Sequence, residues 1–241
     1  EILEQNQTLT RIDDEKNKLF SILTHDLKSP INSIKQMLEL QNSDLLNEEE
    51  KAHINKLLLK QVQNTDQMMD ELLHWSMAQM QGIVTKRIPV ILDQSIREVI
   101  AQNEFAAEKK EIKLAYQPLS EEHKILADKT QFKIILQNCI QNAIKFSFKN
   151  STIEIIPELI DQRLRVTVKD YGVGMTAEKI REILQTQTMV SSSKGTVQEK
   201  GTGLGLMLVK QFLERNQGSL EIKSEPGVGT EVILTFDQAS E

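Results

Sequence analysis

Three short stretches in the second half of the chain combine residue types that bind nucleotides. Asn138 and Asn142 stand four apart and Lys145 follows three further on, so on a helix all three share one side. Amide oxygens are hard ligands suited to Mg²⁺, and a nearby lysine pairs with phosphate oxygens. Asp170-Tyr171-Gly172-Val173-Gly174 follows a strand-like run. A carboxylate at a strand end can accept the exocyclic amine of adenine, and the glycines let the backbone approach a ligand closely. Gly201-Thr202-Gly203-Leu204-Gly205-Leu206 leads into a helical pattern, and a Gly-rich backbone before a helix is a ready anion site. Its spacing differs from the dinucleotide fingerprint, and no Gly-Lys-Ser/Thr follows, which excludes a P-loop. Taken singly, the first stretch also reads as a solvated helix face and the second as a strand-ending turn.

A second kind of chemistry sits near the start. The chain has four histidines, His25, His53, His74 and His123. His25 lies in Phe20-Ser-Ile-Leu-Thr-His25-Asp26-Leu-Lys-Ser29-Pro30. With a reference pKa of about 6.5, an imidazole offers a neutral nucleophilic nitrogen at neutral pH. Asp26 can take the proton on one ring nitrogen and leave the other free to attack phosphorus. Ser29 falls one helical turn after His25 on the same face. Pro30 removes a backbone donor and predicts a bend there.

The elements that must carry these residues fall into two textures. Residues 1–85 hold one proline, Pro30, and one glycine, Gly82. Ile2, Leu9, Ile12, Leu19 and Leu23 mark an a/d seam, which Lys16 interrupts and Ile34, Met37, Leu38 and Leu40 continue. Residues 41–47 read as a polar turn. Asn47 followed by Glu48-Glu49-Glu50 reads as the cap and acidic first turn of a second long helix. Two helices with one apolar stripe each form a hairpin that needs a second copy to complete a four-helix bundle. From Arg87 the pattern changes. Strands are predicted at 87–92, 112–116, 151–157, 163–169, 219–224 and 230–236, and helices at 93–110, 128–146 and 204–216. Mixed strands and helices predict an α/β sandwich.

Composition bounds the rest. The 241 residues carry a net charge of −6 and are 39% hydrophobic, which suits a globular protein and disfavours nucleic-acid binding through clustered Lys and Arg. With one cysteine, Cys139, no disulfide can form within the chain. No apolar run is long enough to span a bilayer. The chain opens inside a helical pattern, so the expectation is a soluble fragment whose sensor or membrane part precedes residue 1.

In order and combination, the three nucleotide stretches resemble the ATPase superfamily shared by histidine kinases, gyrase-type topoisomerases, a heat-shock chaperone and mismatch-repair ATPases. The residues around His25 resemble the phosphoacceptor box of sensor histidine kinases, and the resemblance then covers the whole chain. It implies an α+β protein. Residues 1–85 would be an antiparallel helical hairpin forming a dimeric four-helix bundle, and 86–241 an ATP-binding domain with a mixed sheet, Bergerat/GHKL-like. By the same resemblance His25 is phosphorylated from ATP and the group passes to an aspartate of a response-regulator receiver domain. Asp170 would bind adenine, with Gly172 and Gly174 beside it. Asn142, assisted by Asn138, would hold Mg²⁺, and Lys145 the phosphates. Gly201, Thr202, Gly203, Leu204, Gly205 and Leu206 would frame a lid spanning 175–200, and Thr230 would support adenine through water. The protein would be the cytoplasmic part of a bacterial sensor. Two departures stand out. No phenylalanine lies between Phe148 and Phe212, where many relatives carry a pair, and Met189 is the nearest large apolar residue. Ser29 replaces the usual Thr or Asn, which predicts weak phosphatase action on the phosphorylated partner, readable from that partner's decay. A mechanical ATPase would need a glutamate in the Asn helix, and residues 131–145 contain none. The remaining alternative is a dimeric scaffold that binds ATP without transferring phosphate.

Overall fold

A computed structural model describes residues 28–41, 46–79, 85–185, 196 and 205–239, with the backbone alone at 64, 67 and 70–79. The chain divides into two compact units, Glu1–Leu73 and His74–Glu241.

In the first unit, residues 28–41 are helical (α1) and are followed by α2 (Glu48–Gln79). The start of α2 is fixed by a reciprocal cap. Asn47 Oδ1 accepts the Glu50 N–H at 2.9 Å, and Glu50 Oε2 accepts the Asn47 N–H at 2.9 Å, so two otherwise orphaned donors are satisfied. Glu48, Glu49 and Glu50 sit at the positive end of the helix dipole. The Gln41 amide donates to Asn55 Oδ1 at 2.8 Å and ties the end of α1 to α2. Apolar side chains remain open on both helices, among them Ile31, Leu38, Leu57, Leu59, Val62 and Met69.

The second unit holds β1 (Ile88–Ile91), α3 (Leu92–Lys109), β2 (Lys113–Tyr116), β3 (Lys124–Ala127), α4 (Lys129–Phe146), β4 (Thr152–Ile160), β5 (Arg163–Asp170), α5 (Ala177–Gln185), α6 (Gly205–Arg215), β6 (Ser219–Glu225) and β7 (Gly229–Asp237). β1 and β3 form a small antiparallel pair. The other strands form one sheet in the order β2-β4-β5-β7-β6. β2 runs parallel to β4, and the remaining neighbours are antiparallel. The sheet is therefore mixed, as expected.

One face of each central strand enters the core. Ile153 and Ile155, Leu164, Val166 and Val168, then Val232, Leu234 and Phe236 alternate along β4, β5 and β7 and are buried. α3, α4 and α6 cover them. In α4 the stripe Phe132, Ile135, Leu136, Cys139, Ile140 and Ala143 follows the helical period. Phe132 meets Phe236 edge-on, with centroids 5.2 Å apart. Asp128 caps α4 by accepting the N–H groups of Thr130 and Gln131. At its other end, the buried Lys110 ammonium donates to the carbonyls of Ile144 and Lys145 at 2.8 and 2.7 Å, which compensates the negative end of the dipole. The segment before β1 is bound into this unit. The Lys86 N–H donates to Asp128, and Arg87 bonds Asp237 at 2.9 Å and Gln217.

Two elements depart from the sequence expectation. β3 (Lys124-Ile125-Leu126-Ala127) has no alternation of polar and apolar residues and runs directly into the α4 cap at Asp128. α5 occupies the first part of the stretch assigned to a lid. Thr176 Oγ1 accepts the Lys179 N–H at 3.3 Å and caps it, a signal the sequence carried. β4 also runs on past Pro157. β2 covers β4 only as far as Ile155, so Pro157 lies beside an open edge where no N–H is demanded.

Candidate functional site

The strand end, the asparagine helix and the starts of α6 and β7 converge in the second unit. Asp170 is the last residue of β5 and pairs with Thr230, next to the start of β7. It is 6% exposed. Its Oδ1 accepts the Gly172 N–H at 2.9 Å. Burial pushes the Asp170 carboxyl up to about 6, against the pull of the Gly172 and Thr230 N–H donors. The carboxyl is therefore buried with two backbone donors and has acceptor capacity to spare.

Gly172 is required by space. A Cβ there would lie 2.1 Å from the Phe146 carbonyl oxygen, and that oxygen accepts the Val173 N–H at 3.1 Å. The loop after β5 is thus laid directly against the end of α4, next to Lys145. Its far side is tied to the β6–β7 turn. Gly174 has φ +63°, Val173 O accepts the Gly227 N–H at 2.8 Å, and Ser224 Oγ accepts the Met175 N–H at 2.8 Å. The Ser224 hydroxyl also lies 2.8 Å from Thr230 Oγ1, so Thr230 is oriented by a residue the sequence did not single out.

On α4, Asn138 is buried and donates Nδ2 to its own helix at Ile134 O, 2.8 Å. Its Oδ1 faces the first residue of α6, because a Cβ on Gly205 would come within 2.5 Å of it. Asn142 is half-buried, and its amide has no hydrogen-bond partner among the described residues. The two asparagines are thereby distinguished. One is engaged in packing α4 against α6, and the other keeps its amide available. The Lys145 ammonium lies 4.9 Å from the Phe146 ring centroid, and Leu206 is half-buried in the first turn of α6. Cys139, between the asparagines in sequence, points into the core, where burial pushes its thiol up to about 12 and leaves it unreactive.

The chain therefore brings together Asn138, Asn142, Lys145, Asp170, Gly172, Gly174, Gly205, Leu206 and Thr230. His25, Asp26, Gly201, Thr202, Gly203, Leu204 and Met189 lie outside the described residues. Ser29 is exposed on α1. Sequence reasoning missed Lys110, Ser224 and Thr196. Thr196 donates its N–H to Lys145 O and its hydroxyl to Ser147 O, at 3.2 and 2.8 Å. No local signal separates these residues from other lysines and hydroxyls, because their roles arise from tertiary contacts.

Comparison with known proteins agrees with this geometry. Residues 127–240 match the family described as histidine kinase-, DNA gyrase B-, and HSP90-like ATPase. The chain is 28% identical over 227 residues to the sensor histidine kinase YclK of Bacillus subtilis, covering 94% of this chain and 47% of YclK. It is 24% identical to the sensor protein DegM of a Bacillus species, covering 94% of this chain and 56% of DegM. The chain thus spans about half the length of these relatives. Among solved structures, histidine kinase ThkA in complex with response regulator protein TrrA superposes with a TM-score of 0.74 at 20% identity, covering 98% of this chain and 66% of that one, which marks a shared fold. Residues 127–240 thus carry the match to the histidine kinase-, DNA gyrase B-, and HSP90-like ATPase family, and nearly the whole chain is similar to sensor histidine kinases.

Proposed function

We propose that this chain is an ATP-dependent protein-histidine kinase that phosphorylates His25 and passes the phosphoryl group to an aspartate of a response-regulator receiver domain. The observation that carries this reading is the buried Asp170 carboxylate, 2.9 Å from the Gly172 N–H, on the same sheet end as Thr230 and beside the helix of the free Asn142 amide. A base-binding acceptor, a hard amide ligand and a helix start at Gly205 are the parts an adenine nucleotide needs. Asp170 would hold the exocyclic amine of adenine. Asn142 would carry Mg²⁺, Lys145 would attract phosphate, and Asn138 would hold the start of α6 in place. Gly201 to Leu206 would frame the phosphates. Mg²⁺ would supply charge neutralisation along the phosphates.

In the transfer, a ring nitrogen of His25 attacks the γ-phosphorus of ATP. A nitrogen–phosphorus bond forms, the bond to the β-phosphate oxygen breaks, and ADP departs. Asp26 takes the proton on the other ring nitrogen. The receiver aspartate then displaces the imidazole. The partner assignment is supported by the fold shared with ThkA, which was solved with the response regulator TrrA. Residues 1–85 form the dimerisation and phosphotransfer hairpin, and 86–241 the catalytic domain. The homodimer is supported by the apolar residues left open on α1 and α2. The chain is the cytoplasmic portion of a bacterial sensor, and membrane attachment would come from a part of the protein beyond these residues. Among the described residues no helix is long and apolar enough to cross a membrane.

Labelled ATP tests the reading. Wild-type protein should take up acid-labile, base-stable label, and both His25→Ala and Asn142→Ala should abolish it. Label that persists in His25→Ala, or nucleotide binding with no label at all, rejects the kinase in favour of another acceptor or a binding scaffold.

A further inference from the structure

Lys210 lies within α6 (Gly205–Arg215), the helix whose first residue abuts Asn138. Its ammonium reaches across to α5 (Ala177–Gln185) and donates to the Leu184 carbonyl at 2.7 Å and the Ile183 carbonyl at 3.1 Å. These carbonyls belong to the last turn of α5, where a helix has no N–H of its own to offer. α5 has no basic residue in that turn, so the negative end of its dipole is answered from another helix. The ammonium is half-buried. Burial holds its pKa below the usual lysine range, and Glu214, one turn along α6, opposes that shift.

The other end of α5 leads back to the adenine side. Thr176 caps it, and the preceding Met175 N–H is held by Ser224 Oγ, which also touches Thr230. α5 is thus a strut. One end is fixed to the Asp170 loop, and the other is held to α6 by the Lys210 ammonium. An ammonium that donates to two carbonyls of a neighbouring helix holds the two elements at a set separation.

We propose that Lys210 is a positioning residue for the phosphate end of the site, pinning α5 to α6 and so setting where Gly205 stands against Asn138. This rests on the ATP reading given under Proposed function. The adenine end is set by Asp170 and the backbone of Gly172 and Thr230, which Lys210 does not touch. Loss of the pin therefore acts on phosphates and spares the base.

The test compares adenosine with ADP in the full chain carrying Lys210→Met, Lys210→Gln or Lys210→Arg. ADP affinity in Lys210→Met should fall about tenfold, the scale of a displaced positioning group, while adenosine affinity changes less than about twofold. The KM for ATP in autophosphorylation should rise with kcat nearly constant. Lys210→Arg, which keeps a cation and several donors, should restore both. Lys210→Gln, which keeps an uncharged amide donor group, should fall between and stands in if the methionine variant does not fold. A purely structural cap would lower the melting temperature and weaken adenosine and ADP in equal proportion. Equal weakening, or no change in the ADP-to-adenosine ratio for either neutral variant, overturns the proposal. Wild-type protein that binds neither ligand would instead reject the ATP reading itself.

Discussion

At the residue scale, Asp170 carries the strongest electrostatic signature in the site. Its carboxyl is pushed from an ordinary 3.8 to about 6 because burial disfavours the charge, with Gly172 and Thr230 N–H groups partly offsetting that. The unfolded chain releases this proton near its ordinary pKa, and the folded chain keeps it until about pH 6. Folding is therefore unpenalised below about pH 4 and loses roughly 3 kcal/mol as pH rises through that window. A ligand that donates to the ionised carboxylate recovers part of this cost. Adenosine has such a donor in its exocyclic amine and no phosphate to titrate. Its affinity should fall by about tenfold per pH unit below pH 6, and Asp170→Asn should bind weakly with no such slope. A flat wild-type profile in calorimetric or NMR titrations between about pH 5 and pH 7.5 would remove the carboxylate from adenine recognition. Type and spacing marked Asp170 and Asn142 as candidates, and the resemblance gave them their roles. What holds them was not legible. The Phe146 carbonyl, the Ser224 hydroxyl and the Lys110 ammonium work through contacts between elements distant in sequence.

At the element scale, periodicity and caps carried most of the fold. The apolar stripe of α4, its Asp128 cap and the Asn47–Glu50 box are all local signals, and each is realised. Elements without a pattern of their own were not legible: β3 lacks alternation and abuts the α4 cap, and α5 was absorbed into a segment bounded by Gly174 and Gly201. The hairpin between β4 and β5 turns through Asp161 and Gln162, both left-handed at φ 51° and 60°, with Ile160 and Arg163 paired across it. That is the type I′ pattern, which favours glycine at its second position. Gln162 is held where an L side chain is strained by about 1 kcal/mol. Gln162→Gly should raise the melting temperature by about 2–4 °C and leave ADP affinity unchanged. A lower melting temperature would mean that glycine's extra freedom in the unfolded chain outweighs the relieved strain.

At the scale of the whole molecule, the described residues of the first unit leave apolar side chains open on α2. Val62 is 45% exposed and Met69 is 57% exposed, and the two stand a heptad apart on α2. Between them Thr65 is buried, with its hydroxyl bonded to Gln61 O at 2.8 Å, so this stripe carries its one polar group already satisfied. A seam of that kind suits a facing helix. The two possibilities separate sharply under a single charge. On a monomer, Val62→Glu is a surface substitution worth less than about 0.5 kcal/mol. In a four-helix bundle it places a pair of carboxylates in the core, each costing several kcal/mol to bury. Light scattering should find wild-type protein at twice the chain mass and Val62→Glu at the mass of one chain. The variant's ATP domain should still bind ADP, because Asp170 and Asn142 belong to the other unit. If Val62→Glu keeps the wild-type mass, α2 does not face a second copy along this stripe, and the apolar residues of the hairpin need another partner.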